Sequence, residues 1–169
     1  MSVIEHFLME SPLGTLTLVN TNGVLSGLYM PEHLRGPRTD SLGSRVTSGF
    51  DSVRSQLGEY FERKRTPFDL RIALCGSTFQ QSVWKLLQTI PYGETRSYGE
   101  LADLLGNRLA IRAVGLANGR NPISIIIPCH RVVGSNGSLT GYAGGLERKR
   151  RLLELEAANV TSQQQLSLS

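Results

Sequence analysis

The sequence predicts an α+β fold in two units, with strands and one helix over residues 1–76 and mostly helices over 77–157. A flexible polar tail is expected over 158–169. Three patterns carry that expectation. Apolar alternation interrupted by Gly14 and by Asn22-Gly23 marks short strands joined by tight turns, and Asn-Gly is the strongest short hairpin signal. Helical spacing takes over at Phe50, Val53, Leu57, Tyr60 and Phe61. Beyond Ser77, two pairs of a hydroxyl residue followed three positions later by Gln or Glu announce helix starts.

Taken in order, strands are expected over 3–9, 15–19 and 24–30. Residues 31–48 are rich in Pro, Gly, Ser and Arg and read as a mobile loop. After the helix near 50–61, the alternation of Phe68, Leu70, Ile72 and Leu74 reads as another strand. A capping box of Thr78 with Gln81 opens a helix whose apolar face is Phe79, Val83, Leu86, Leu87 and Ile90. Ser97 with Glu100 opens a second helix over 98–105. Gly106-Asn107 then turns the chain into a third over 109–118. Two short helices across such a turn describe a helix-turn-helix, although an ordinary helical hairpin fits the same pattern. The third helix is smooth, with Ala110, Ala113, Gly115 and Ala117, and Arg112 is its one long cation. That combination suits close approach to a nucleic-acid groove. Residues 146–156 read as a basic helix whose run 148–151 fits a solvated face.

Composition narrows the class. No apolar run is long enough to span a bilayer, and the first residues lack a signal peptide, so a soluble cytoplasmic protein is expected. Residues 1–77 carry eight Lys/Arg and eight Asp/Glu, whereas 78–169 carry ten and six. The whole excess of +4 lies in the second unit, which suits a polyanionic partner.

Pro128-Cys129-His130-Arg131 follows the apolar run 123–127, which reads as a buried strand or extended segment. A thiolate is a strong nucleophile and histidine a proton acceptor near neutral pH. Buried cysteine can equally be inert packing, and the tetrapeptide alone leaves both readings open. A zinc site is not expected, because Cys75, His6 and His33 form no paired ligand motif with it. Cys75 is assigned to packing. In an extended segment neighbouring side chains point apart, so Cys129 and His130 are expected to communicate through a water.

Several motifs then coincide. Pro128-Cys129-His130-Arg131, with Asn121-Pro122 before it and Gly141-Tyr142-Ala143-Gly144-Gly145 after it, resembles the O6-alkylguanine-DNA alkyltransferases. The likeness continues through 79–84, 90–95, 97–102 and 112–115, covering nearly all of 77–157. It implies a ribonuclease-H-like N-terminal unit and a winged-helix-like C-terminal one. It also implies single-use transfer of an alkyl group from O6 of guanine, and less readily from O4 of thymine, to Cys129. Tyr98 would rotate a phosphate and protonate the departing guanine, and Arg112 would fill the gap left by the flipped base. Thr95, Arg96, Ser97 and Ala113 would also face DNA. Asn121 would hold the segment joining the DNA-reading helix to Cys129, and Glu156 would complete a relay through His130 and a water. Val132, Tyr142, Ala143 and Ser124 would line the pocket. No cofactor or metal is implied. The partner would be double-stranded DNA containing alkylated guanine, bound by a monomer, with cooperativity left open.

Two other classes compete. A sensor of alkylated bases would need no nucleophile, and a cysteine hydrolase would leave the helix-turn-helix and Arg112 without a role.

Overall fold

The computed structural model describes residues 2–34 and 36–168, with side chains to residue 161. Three strands form an antiparallel meander: β1 (Ile4–Ser11), β2 (Gly14–Thr21) and β3 (Val24–Tyr29). Asn22 and Gly23 both have positive φ, 51° and 80°, as the two-residue turn between β2 and β3 requires. The stretch expected to be loop is partly ordered. It contains a 3-10 turn at Thr39–Ser41 and a two-residue strand, β4 (Ser44–Arg45), parallel to β1; Arg35 lies outside the described residues. The sheet order is β3-β2-β1-β4, an antiparallel meander with a short parallel strand added at the β1 edge.

Helix α1 (Asp51–Phe61) packs against β1 and adds Val53, Leu57 and Tyr60 to the same buried cluster as Leu16, Leu18 and Leu28. Residues 68–74 form no strand. They run extended with one parallel bridge, Leu25 to Ile72, anchored by Ala73 N–H on the Leu25 carbonyl at 2.8 Å. A second bridge, Leu28 to Ile123, uses the same edge of β3, so two incoming segments share the hydrogen bonds that a full strand would take.

Helix α2 (Thr78–Leu87) begins one residue earlier than a Thr78 cap would place it. The N-cap is Ser77, and its capping box is closed by Gln80 rather than by Thr78 with Gln81. Gly76 is tightly enclosed: a Cβ there would sit 2.6 Å from the Trp84 ring, so only glycine lets the chain pass that side chain. Trp84 Nε1 donates to the Ala117 carbonyl at 2.8 Å and fastens α2 to the later helix. Strand β5 (Arg96–Ser97) leads into α3 (Tyr98–Leu104), capped by Ser97 Oγ on the Glu100 N–H. After the Gly106 turn and a 3-10 turn at Arg108–Ala110 comes α4 (Ile111–Gly119). Helices α3 and α4 form the expected helix-turn-helix. Strand β6 (Val132–Val133) pairs in parallel with β5.

Helix α5 (Leu146–Leu168) does not stop near Glu156, and the expected flexible tail is helical through residue 168; Ser169 lies outside the described residues. No Gly or Pro interrupts 157–168, and Asn159, only 4% exposed, donates to the Tyr92 hydroxyl at 3.1 Å. The basic run is a solvated face only in its second half: Arg150 and Arg151 are exposed, whereas Lys149 is fully buried and Arg148 donates to the carbonyls of Leu13, Pro31 and Gly144. Cys75, expected to pack, is exposed.

Leu16, Leu28 and Tyr60 share one buried cluster with Trp84, Ile127 and Leu152, so the two stretches have a common core. Leu28→Ala should therefore lower stability by about 2–5 kcal/mol. Denaturant unfolding followed by tryptophan fluorescence and by circular dichroism should give one coincident transition. Two separated transitions would contradict a shared core.

Candidate active site

The segment that carries Cys129 hangs from the edge of the N-terminal sheet. Leu28 N–H donates to the Pro122 carbonyl at 2.8 Å, and Ser124 N–H donates to the Leu28 carbonyl at 3.1 Å. From there the chain does not run extended, as the apolar run suggested. It winds through consecutive turns, with Ile126 N–H on Ser124 O, Ile127 N–H on Ile123 O and Cys129 N–H on Ile127 O. Cys129–Arg131 form a 3-10 turn. Ile125 has φ 71°, a left-handed conformation that costs a β-branched residue on the order of 1–3 kcal/mol. Asn121 offsets that strain by clamping the turn from both sides. Its Oδ1 accepts from Ile123 N–H at 3.0 Å, and its Nδ2 donates to Ile127 O at 2.8 Å. The run of isoleucines is apolar because every side of this turn is packed, which imitates a buried strand in sequence.

Beneath Cys129 lies a buried carboxylate. Glu156 on α5 accepts from Tyr60 Oη (2.7 Å), His130 Nε2 (2.8 Å), Arg131 Nε (2.8 Å) and Arg131 Nη2 (3.0 Å). Arg131 Nη1 also caps the Ile90 carbonyl at 2.7 Å. Burial alone would raise the Glu156 pKa, but His130 and Arg131 outweigh it and hold the carboxyl well below its usual range. An ionised Glu156 can only accept, so the His130 proton is on Nε2 and Nδ1 carries a lone pair. That Nδ1 is buried without a partner. Burial lowers the His130 pKa, aided by Arg131 and Lys149 and opposed by Glu156, so the ring is neutral at pH 7.

The thiol is 4% exposed, and no hydrogen bond joins it to the His130 ring among the described residues. The two are kept apart by the turn geometry rather than by strand alternation. Burial raises the Cys129 pKa, with Asn121 and Lys149 lowering it in part. Lys149 Nζ donates to the carbonyls of Thr140 (2.9 Å) and Gly141 (3.3 Å), and burial brings its own pKa down to about 8. The Tyr142 hydroxyl is buried without a good hydrogen bond, next to Cys129 and Ser124. Asn118 Oδ1 is a further unpaired buried atom, and its Nδ2 donates to the Cys129 carbonyl at 3.4 Å. Buried orphan polar groups are uncommon in native proteins. Three of the four among the described residues surround this cysteine.

A cleft of about 240 Å³ is lined by Tyr98, Gly115, Asn118, Tyr142, Ala143 and Leu34, so it reaches the cysteine's neighbours Asn118 and Tyr142 but is not lined by Cys129 itself. Tyr98 Oη donates across the cleft to the Thr140 carbonyl at 3.1 Å, and burial raises its pKa.

Residues 78–158 match the family model of the 6-O-methylguanine DNA methyltransferase DNA-binding domain. A methylated-DNA–protein-cysteine methyltransferase of Methanosarcina mazei is 58% identical over 92% of this chain and 98% of its own length. The chain belongs to the methylated-DNA–protein-cysteine methyltransferase family. The crystal structure of Mycobacterium tuberculosis OGT in complex with DNA superposes with TM-score 0.86 at 52% identity, covering 92% of this chain and 94% of that one. The O6-methylguanine-DNA methyltransferase of Pyrococcus kodakaraensis, 21% identical with TM-score 0.55, shares the fold over 91% of this chain and 99% of its own. As a member of this family the protein is a DNA-repair methyltransferase with a DNA-binding C-terminal part.

The methyltransferase chain brings Cys129, His130, Glu156, Asn121, Ser124, Val132 and Tyr142 together as buried groups, with Tyr98 and Ala143 at the cleft. Arg112, Ala113 and Thr95 are exposed along the helix-turn-helix. Arg96 pairs with Glu94 at 3.2 Å, and Ser97 is occupied as a helix cap. Sequence reasoning missed Tyr60, Arg131, Lys149, Asn118 and Leu34. Arg131 stood inside the reactive tetrapeptide, and a buried position for it was the available signal. Tyr60 carried none beyond its place on an apolar helix face.

Glu156 and His130 both bind protons less readily folded than unfolded, where their values are 4.5 and 6.5. The stability they supply is present above about pH 6.5 and is lost on acidification, first through histidine and then through the carboxylate. The melting temperature should fall steadily from pH 7 to pH 4. A Glu156→Gln variant should start lower and lose less below pH 5. Equal acid sensitivity in both proteins would refute this assignment.

Proposed function

We propose that this methyltransferase repairs O6-alkylguanine in double-stranded DNA by accepting the alkyl group irreversibly on Cys129 Sγ, once per molecule. The observation that carries this reading is a buried thiol beside a neutral histidine whose Nδ1 is an unpaired acceptor. A water bridging Sγ–H to Nδ1 satisfies both groups and gives the thiol proton a destination. Glu156 stabilises the imidazolium that forms, following the logic of catalytic triads.

The reaction balances simply. Sulfur attacks the alkyl carbon, the carbon–O6 bond breaks, and its electron pair passes into the guanine ring. Tyr98 supplies a proton to N3 of the departing base. The proton held by His130 and the one lost by Tyr98 then re-equilibrate through solvent. The thioether product is stable to water, so the thiol is not regenerated, and no cofactor takes part.

A thiol this buried cannot reach O6 inside the stack, so the nucleotide leaves the duplex, at a cost of a few kcal/mol. Arg112, exposed near the start of α4, is suited to occupying the vacated space. Ala113 and residues 95–97 flank the backbone. The Cys129 and Val132 backbone carbonyls accept from the guanine amine, Tyr142 and Ala143 meet O6, and Asn121 keeps the turn in register. Ser124 and Ala143 are small, leaving room for groups larger than methyl, and O4-alkylthymine is a slower substrate. Residues 1–76 serve as a structural unit and 77–157 as the DNA-binding and transfer unit of a cytoplasmic monomer.

Titration with methylated duplex should saturate at one methyl per protein, and sustained turnover would exclude the reading. Cys129→Ser should bind the duplex with wild-type affinity and transfer nothing. Residual transfer would mean another nucleophile.

A further inference from the structure

Glu156 Oε2 is over-subscribed. It receives Tyr60 Oη at 2.7 Å, His130 Nε2 at 2.8 Å and Arg131 Nη2 at 3.0 Å. A carboxylate oxygen offers two lone-pair directions, so three donors on one oxygen share its charge rather than each receiving it in full. His130 needs that charge to become an imidazolium. Every donor added to Oε2 weakens the pull of Glu156 on the histidine and favours the neutral ring.

Tyr60 comes from the N-terminal unit, ninety-six positions away in sequence. It is fully buried, edge-on to Tyr92 with ring centroids 6.3 Å apart and tilted against Phe68 at 5.4 Å, so its hydroxyl is fixed in direction. Burial and Glu156 keep it protonated, so it remains a donor across the accessible pH range.

We propose that Tyr60 is a positioning residue of the transfer reaction: its hydroxyl holds Glu156 Oε2 and tempers it, so that His130 stays neutral until the thiol proton arrives. The inference rests on the reading of His130 as proton acceptor. It makes the N-terminal unit part of the transfer machinery rather than a support for it. The other ionisable groups facing this pair are Arg131, Tyr92 near the start of β5, Lys149 on α5, and Cys129 and Tyr142 on the cleft side. Replacing the Tyr60 hydroxyl leaves each of them in place.

The test is the pH profile of single-turnover methyl transfer from a methylated duplex, each protein normalised to its own plateau. It is paired with a ring-nitrogen NMR titration of His130. In Tyr60→Phe the acid limb and the ring titration should both move up by roughly half a pH unit or more, because the imidazolium gains an undivided carboxylate. Site-specific 3-fluorotyrosine at position 60, a stronger donor of nearly the same shape, should move both down. Limbs and titrations that stay at the wild-type position in both variants would overturn the proposal, whatever the plateau rates. A wild-type acid limb that does not coincide with the His130 titration would overturn the acceptor assignment itself and the proposal with it.

Discussion

One buried carboxylate holds this protein together where it matters. Glu156 takes hydrogen bonds from α1 through Tyr60 and from the reactive turn through His130 and Arg131, while its own backbone belongs to α5. Removing such a charge from water is costly, and the cost is met only when every lone pair is used. The donors are therefore obligatory, and so is the packing that brings them. Tyr60 must lie on the inner face of α1, Arg131 must reach past Ile90, and α5 must run long enough to present position 156 from below. In the proposed reaction this one group would serve both the tertiary structure and the acid–base chemistry.

A second constraint acts from above. The cysteine sits in a turn that would not hold its shape alone, with a left-handed isoleucine and several short-range hydrogen bonds. Asn121 clamps the turn, and the edge of β3 holds its base through Leu28. The sheet thus gives the thiol a rigid floor. Preorganisation of this kind leaves little to rearrange when substrate enters. The residue next to the reactive sulfur then needs no contact with it. His130 faces down to Glu156 with one nitrogen and leaves the other unpaired, and that unpaired atom gives the site its direction.

The features written locally were legible in the sequence. The Asn22-Gly23 hairpin, the Ser97 cap and the helix-turn-helix around Gly106 each depend on a few adjacent residues and were readable, although element ends moved and the second helix of the pair starts at Ile111 after a 3-10 turn rather than at 109. The tetrapeptide at 128–131 and the motifs around it pointed to the site and to its family. What was illegible depends on partners far away in the chain. The isoleucine run looked like a strand because a fully packed turn and a buried strand have the same composition. Lys149 and Arg148 looked solvated because nothing beside them announces the carbonyls they cap. Tyr60 looked like core because its ring is core and only its hydroxyl is not. The cap at Ser77 was misplaced by one position because Ser77-Thr78 and Gln80-Gln81 offer two equivalent boxes.

The most direct measurement is the intact mass, with peptide mapping, of the full chain after incubation with excess duplex containing O6-methylguanine. The account requires a gain of one methyl group on the peptide carrying Cys129 and unmodified guanine in the DNA. An unchanged protein mass with the DNA still methylated would make this a sensor, and repaired DNA with a free Cys129 thiol would make it a turnover enzyme. Either result would contradict the central claim.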